Sequence, residues 1–309
     1  MAGRQKFYRV KAFKIHSIVL IILTLIVTLP AMAHPTGNMI QVGEKVLWSY
    51  IHPVDDPSHH ACIMIAEKDS EPELFLKSEY PASDYMLSHK GNEIYIIERR
   101  YLQARQEFET RILKSKAGEE PTEIWSWFKD EWRLGEGGFF MVSDTQIVFG
   151  SYPEVYSLTK GGTPTKYFGF SDAVKRIRAN ENNQILLLGN EACYLVQHDG
   201  TIVKQWDDLI DKAVTDAPLN RNQVFDADYH KGRLLLAYWG QRSFVMIGES
   251  GKRNIIWQQS EPLTPHWVSF WGDELLLFSS ELIFDGSTPR PHLVLFKGPG
   301  NKQIIWSLP

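Results

Sequence analysis

The sequence predicts an all-β protein, a six-bladed β-propeller of four-stranded antiparallel blades. Three observations predict it. Short β runs come in sets of four along the chain. The fourth run of each set carries an aromatic, at Phe75, Trp125, Tyr167, Trp206, Trp257 and Trp306, with spacings of 50, 42, 39, 51 and 49 residues. The second run of each set is the most apolar, as in QILLLGN and RLLLAYWG, which fits strands covered on both faces. Six units in the 276 residues after position 33 average 46 residues each, and four strands at that period is the pattern of propeller blades. A lone four-stranded meander cannot bury both of its faces, whereas blades stacked in a ring cover each other. A β-sandwich or a pair of β-domains is the alternative, but neither accounts for the repeated aromatic.

In chain order, the first 33 residues stand apart. Arg4, Lys6, Arg9, Lys11 and Lys14 make a positive segment, SIVLIILTLIVTL follows from Ser17 to Leu29, and Ala31-Met32-Ala33 offers a small-residue cleavage site. That order reads as a secretory signal peptide. Its apolar run of 13 residues is short of the roughly 20 that a spanning helix needs. An uncleaved signal-anchor is the alternative. With cleavage after Ala33, a secreted or periplasmic protein with no membrane span is expected, with residues 34–309 as a single domain. Loss of the five cations leaves 28 Lys and Arg against 37 Asp and Glu, a net charge of about −9, which argues against nucleic acid as a partner. The His34 that cleavage would expose could chelate copper at a free N-terminus, but copper oxygenases of that kind build their sites on a different fold.

The blades are expected at about 38–80, 81–128, 136–170, 173–208, 222–259 and 264–309. Blade 1 reads NMIQV, KVLWSYI, HACIMIAE, ELFLKS; blade 2 reads DYMLSHKG, EIYIIERRY, ETRILKSKAG, EIWSWF; blade 3 reads GGFFMVS, TQIVFGS, EVYSLTKG, TKYFGF. Blade 4 reads VKRIRA, QILLLGN, ACYLVQHDG, IVKQWDD; blade 5 reads VFDADYH, RLLLAYWG, SFVMIGESG, NIIWQQ; blade 6 reads HWVSFWGD, ELLLFSSE, HLVLFKG, QIIWSLP. Turn residues such as Gly43-Glu44, Gly91-Asn92 and Gly272-Asp273 separate first and second runs, as tight hairpins require. Blade 6 completes its own four strands, so the ring is expected to close by face packing of blade 6 on blade 1. Cys62 and Cys193 then fall in the third strands of opposite blades, far beyond the roughly 7 Å that a disulfide spans, and two buried free thiols are expected.

The chain resembles the six-bladed propeller class in general. HDGTIVKQW, His198 to Trp206, is similar to the blade ends of pyrroloquinoline-quinone-type repeats, where an outer-strand Trp packs between blades. That resemblance covers the blade ends alone. It implies no quinone site here, because the eight blades of that group do not fit, and no cofactor is expected.

Loop lengths locate the face that is expected to function. The loops between second and third strands are minimal in blades 3, 4 and 5 (SYPE, NEA, WGQR) and long in blades 6, 1 and 2 (ELIFDGSTPRP, HPVDDPSHH, RRYLQARQEF). Those blades are consecutive around the ring, so the loops would form one raised rim. The links from a fourth strand to the next first strand emerge on the same face, among them DDLIDKAVTDAPLNRN with a short helical piece. Long loops on a rigid scaffold are where function concentrates.

The expected ligand-binding residues on this face are Asp56, His59, His60, Asp84, Arg99, Arg100, Trp132, Arg176, Asp226, Trp239 and His266. A glycan, a small molecule or a protein partner would be bound there by a monomer. A carbohydrate-active lyase or hydrolase using His, Tyr and Arg as acid, base and charge neutraliser is the alternative, and an envelope scaffold is a third reading. Catalysis is the less favoured reading: the residue types are unspecific, and the chain has no G-x-S-x-G elbow, P-loop or dinucleotide fingerprint after a strand. No metal site is expected either. Adjacent His59 and His60 would point to opposite faces of a strand, and H-E-x-x-H and C-x-x-C are missing. Sialidase-type Asp boxes are absent as well.

Overall fold

A computed structural model describes residues 37–51, 60–116, 118–180, 184–212, 222–281 and 290–307. The chain forms six four-stranded antiparallel sheets, each made of four consecutive strands. Blade 1 holds β1 (Met39–Val42), β2 (Lys45–Ile51), β3 (Ala61–Glu67) and β4 (Glu73–Lys77); blade 2 holds β5 (Ser83–Lys90), β6 (Glu93–Leu102), β7 (Glu107–Lys116) and β8 (Thr122–Lys129). Blade 3 holds β9 (Phe139–Ser143), β10 (Gln146–Ser151), β11 (Glu154–Thr159) and β12 (Thr165–Lys166); blade 4 holds β13 (Val174–Ala179), β14 (Ile185–Gly189), β15 (Cys193–Val196) and β16 (Ile202–Trp206). Blade 5 holds β17 (Val224–His230), β18 (Arg233–Tyr238), β19 (Ser243–Ile247) and β20 (Arg253–Gln258); blade 6 holds β21 (Leu263–Trp271), β22 (Glu274–Glu281), β23 (Arg290–Gly298) and β24 (Asn301–Ser307). The described residues contain no helix. Most of the link expected to carry a helical piece, and the expected signal peptide, lie outside the described residues.

The core divides as the blades do. Among the described residues, six apolar clusters each lie between two neighbouring blades. Strand alternation does the sorting. On β14, Ile185 and Leu187 face blade 3, whereas Leu186 and Leu188 face blade 5. Second strands therefore bury both faces, as the run of buried residues in β2, β14, β18 and β22 shows.

Among the described residues, the ring closes without strand exchange. Trp306 of β24 lies 5.5 Å from Trp48 and 4.9 Å from Tyr50 of β2, and the Trp271 indole donates to the Glu44 carbonyl at 3.1 Å. Cys62 and Cys193 are free and buried. Burial pushes the Cys193 thiol far above its usual range.

Inner strands are stitched to one another by hydrogen bonds that cross from blade to blade. Asn38 donates to the Leu87 carbonyl and accepts from the Leu87 amide, each at 2.7 Å. The Ile177 amide donates to the Gly137 carbonyl at 2.7 Å. Asp226 and Asp228 of β17 accept the amides of Val268 and Phe270 of β21 at 3.1 and 2.9 Å.

Candidate functional site

The upper face is the one where fourth-to-first links and second-to-third loops emerge. The long loop expected in blade 2 is mostly strand. β6 and β7 run on in register through Arg100–Glu109, Tyr101–Phe108 and Leu102–Glu107, and only residues 103–106 turn, with Gln106 at a φ of 52°. Cross-strand pairs of opposite charge and of aromatic side chains favour this extension. Arg99 and Arg100 thus sit on a projecting hairpin. Asp56, His59 and most of the blade 1 and blade 6 loops lie outside the described residues.

Two groups of the expected residues come together. In the first, Arg99 and Asp84 face each other across β5 and β6, with Nη2 2.9 Å from Oδ2. Its other terminal nitrogen is 3.6 Å from Glu136, which also lies 3.7 Å from Arg133. The guanidinium groups of Arg99 and Arg133 lie 5.2 and 5.5 Å from the centre of the Phe108 ring, within cation–π reach, and Tyr101 packs on the same ring at 5.0 Å. Trp132, next in the chain to Arg133, packs on Tyr156 of blade 3 at 5.0 Å. The exposures of Tyr101, Trp132 and Tyr152 are 38%, 36% and 64%. They occupy the hairpin of blade 2, the link into blade 3 and the β10–β11 turn, all on the upper face.

In the second group, Arg176 lies over Phe225 at 5.0 Å and 3.6 Å from Asp226. Phe225 contacts His266 at 5.1 Å and Trp239 at 5.9 Å. His266 is buried and bonds the Thr264 carbonyl through Nδ1 at 2.9 Å. Trp239 is half-buried in this cluster. His60 and Arg100 stand away from both groups. His60 bonds the Ser78 carbonyl at 2.6 Å, and Arg100 is held by Glu109 at 2.7 Å between the rings of Tyr80 and Trp127, at 4.2 and 4.0 Å.

Arg178, absent from the expected set, divides the central channel. It reaches from blade 4 to the carbonyls of Val268 in blade 6 and Met39 in blade 1, at 2.9 and 3.2 Å. It also pairs with Asp226 at 3.3 Å and Asp228 at 3.2 Å. Burial pulls its guanidinium down, and the two carboxylates more than offset that, so the net direction is upward. Arg176 goes the other way: burial lowers it further than Asp226 restores it. Above Arg178, a cavity lined by Arg176, Glu136, Asp226 and Gly138 holds about 30 Å³. Below it, a second cavity holds about 70 Å³. Both are small beside the several hundred Å³ usual for an organic ligand. Among the described residues, no group of three or more His, Cys, Asp or Glu is placed to hold a metal ion.

The signal for Arg178 was the alternation in VKRIRA and DADYH. Arg176 and Arg178 project to one side of β13, Asp226 and Asp228 to one side of β17, and the two strands are neighbours in the ring.

No family model and no curated protein sequence matches the chain. Solved structures match it in shape. A streptogramin B lyase is 12% identical, with a TM-score of 0.51, over 86% of this chain and 95% of the lyase. The WD40 domain of Neurospora crassa Pan2 is 11% identical with a TM-score of 0.49, over 87% of this chain and 78% of that one. The β-propeller domain of the Trilobed protease from Pyrococcus furiosus is 12% identical with a TM-score of 0.46, over 89% and 98%. At such identities the likeness is one of fold alone. The protein is a six-bladed β-propeller whose structural neighbours have varied functions, and the fold does not choose among them.

Proposed function

We propose that this protein is an exported binding propeller whose upper face holds an extended ligand, a glycan chain, rather than a small molecule in the channel. The observation that carries this reading is the exposed indole of Trp132, flanked by the Arg133–Glu136–Arg99 charge pairs. Tyr101 of the blade 2 hairpin and Tyr152 of the β10–β11 turn add exposed aromatic area on the same face. Exposed aromatic faces offer flat apolar area with little side-chain entropy to lose, and sugar rings stack on such faces while their hydroxyls bond to nearby charged groups. The narrow channel above Arg178 leaves a long ligand only the outer surface.

The test is affinity electrophoresis in polysaccharide gels together with a glycan array, using residues 34–309. The wild-type chain is expected to be retarded by at least one polysaccharide. Trp132→Ala and Tyr152→Ala are each expected to weaken that binding roughly tenfold, the scale of one lost aromatic anchor. Retardation unchanged in both variants would remove this face from the reading, and no retardation on any glycan would favour a protein partner. Export is tested by sequencing the mature N-terminus, which is expected to begin at His34.

A further inference from the structure

Around Trp132 the charges of the upper face cancel. The exposed cations at the projecting end of the blade 2 hairpin and in the link into blade 3 are Arg105, Lys129 and Arg133. Each has a carboxylate partner: Glu107 at 3.3 Å, Glu131 at 2.6 Å and Glu136 at 3.7 Å. The less exposed Arg99 and Arg100 are held by Asp84 and Glu109. Asp130 is buried and spends its carboxylate on the Thr110 hydroxyl and on the amides of Trp132 and Leu134, at 2.6, 3.0 and 2.9 Å. No unopposed cation is left there to draw in an anionic ligand. The acid excess of residues 34–309 repels a polyanion at longer range.

The Arg133–Glu136 pair is balanced in charge and open in hydrogen bonding. Glu136 stands 3.7 Å from Arg133 and 3.6 Å from Arg99, beyond hydrogen-bond distance. Arg133 and Glu136 are each more than half exposed, and among the described residues neither side chain makes a hydrogen bond. A tight turn fixes them side by side, with the Glu136 amide donating to the Arg133 carbonyl at 3.2 Å, and the Arg133 guanidinium lies over the Phe108 ring. Trp132 precedes them in the chain. A guanidinium only donates and a carboxylate only accepts, whereas a hydroxyl does both.

We infer that the glycan bound beside Trp132 is uncharged, and that Arg133 and Glu136 bond its neighbouring hydroxyls, Arg133 donating to one oxygen and Glu136 accepting from the next. This rests on the glycan reading of the upper face and narrows it to neutral polysaccharides. Hydrogen bonds to charged groups are stronger than neutral ones. A neutral ligand leaves the pair balanced, whereas a uronate or a sulfate would be opposed by Glu136 as much as Arg133 attracts it.

The experiment is affinity electrophoresis of residues 34–309 in gels of dextran, xylan, galactomannan or β-glucan, and in matched gels of polygalacturonate, alginate or chondroitin sulfate. Retardation by at least one neutral polysaccharide and by none of the anionic ones is expected. Arg133→Ala and Glu136→Ala remove opposite charges, yet each is expected to weaken the neutral binding roughly tenfold, the scale of one hydrogen bond to a charged group. Effects of opposite sign in the two variants, or an affinity equal to wild type in either, would overturn the inference. Should Glu136→Ala not fold, because Glu136 also neighbours the buried Arg99, the exposed Arg133 decides through Arg133→Ala. Retardation by an anionic polysaccharide, alone or beside a neutral one, would overturn the inference and leave the glycan reading standing. Retardation by no polysaccharide would overturn both.

Discussion

Arg178 concentrates on one side chain the contacts that link four blades. Its fork meets two carboxylates of blade 5 and two carbonyls from blades 6 and 1, an arrangement that a flexible ammonium could not reproduce. A charge pair this enclosed is costly to break from one side, because the remaining carboxylates stay in the channel without their cation. Arg178→Met is therefore expected to lower stability by about 3 kcal/mol, read as a shift in the urea midpoint, and Arg178→Lys by less. Lys175, three residues earlier, is placed oppositely. Burial first, and then the charge of Arg176, pulls its ammonium from 10.5 down to about 8, although it donates to Gln223 and the Val224 carbonyl at 3.0 and 3.1 Å. Between those two pH values the folded chain has shed a proton that the unfolded chain still holds, so this group makes stability rise with pH there and costs stability in full below about 8. Relative to Lys175→Gln, the wild type should gain roughly 1–2 kcal/mol on going from about pH 7.5 to about pH 9.5, with the half-buried group's solvent screening counted. Urea denaturation of both proteins at the two pH values measures this. A constant difference would show that Lys175 keeps its proton.

At the scale of elements, the contact between blades 3 and 4 depends on backbone approach. Gly138 has a φ of +81°, and a Cβ there would clash with the Ile177 carbonyl of β13. Gly138→Ala is expected to cost about 2 kcal/mol or more and to loosen amide exchange in β13 before the outer strands; exchange mass spectrometry reads that order. The strand pattern was legible in the sequence because alternation and turn residues are local properties. LLL runs marked β14, β18 and β22, and the aromatic series marked the outer strands. The outer end of the β6–β7 hairpin, where the strands run on past Arg100 and Glu109, was not legible. RRYLQARQEF contains no apolar alternation, and its strand character comes from pairs across the hairpin, Arg100 with Glu109 and Tyr101 with Phe108, which become neighbours only in the folded register. Trp239 and His266 were expected among the ligand-binding residues of the upper face, Trp239 in a tight turn and His266 near the start of a first strand. They are placed around Phe225, because a tight β18–β19 turn holds the indole close to the neighbouring blade.

For the whole molecule, the decisive feature is the contact of blade 6 with blade 1. Trp306 meets Trp48, Tyr50 and Phe278 there, and the cluster it joins spans the two ends of the ring. With no strand passed between first and last blades among the described residues, side-chain burial, the Trp271–Glu44 bond and the bridge from Arg178 to the carbonyls of Val268 and Met39 hold the closure. Trp306→Ala is expected to lower stability by roughly 2–3 kcal/mol, the lower end for a large aromatic because the residue is only half-buried. Limited proteolysis should then cut first in blades 6 and 1. An equal distribution of cuts over all six blades would mean that the closure is no weaker than the other contacts.

The sequence by itself determined the six blades, their strand order, the doubly buried second strands, the outer aromatics and the two separated thiols. Each rests on periodicity within some tens of residues, and ring closure follows from it because every blade has two apolar faces to cover. Only the tertiary structure decided which charges meet. Arg178 finds the Met39 carbonyl 139 residues away and the Val268 carbonyl 90 residues away, and His89, Asn180 and His230 reach one cavity from three blades. Such meetings depend on the radial position of each inner strand and on which side of it faces the axis. Those are properties of the closed ring, and no local stretch of the chain encodes them.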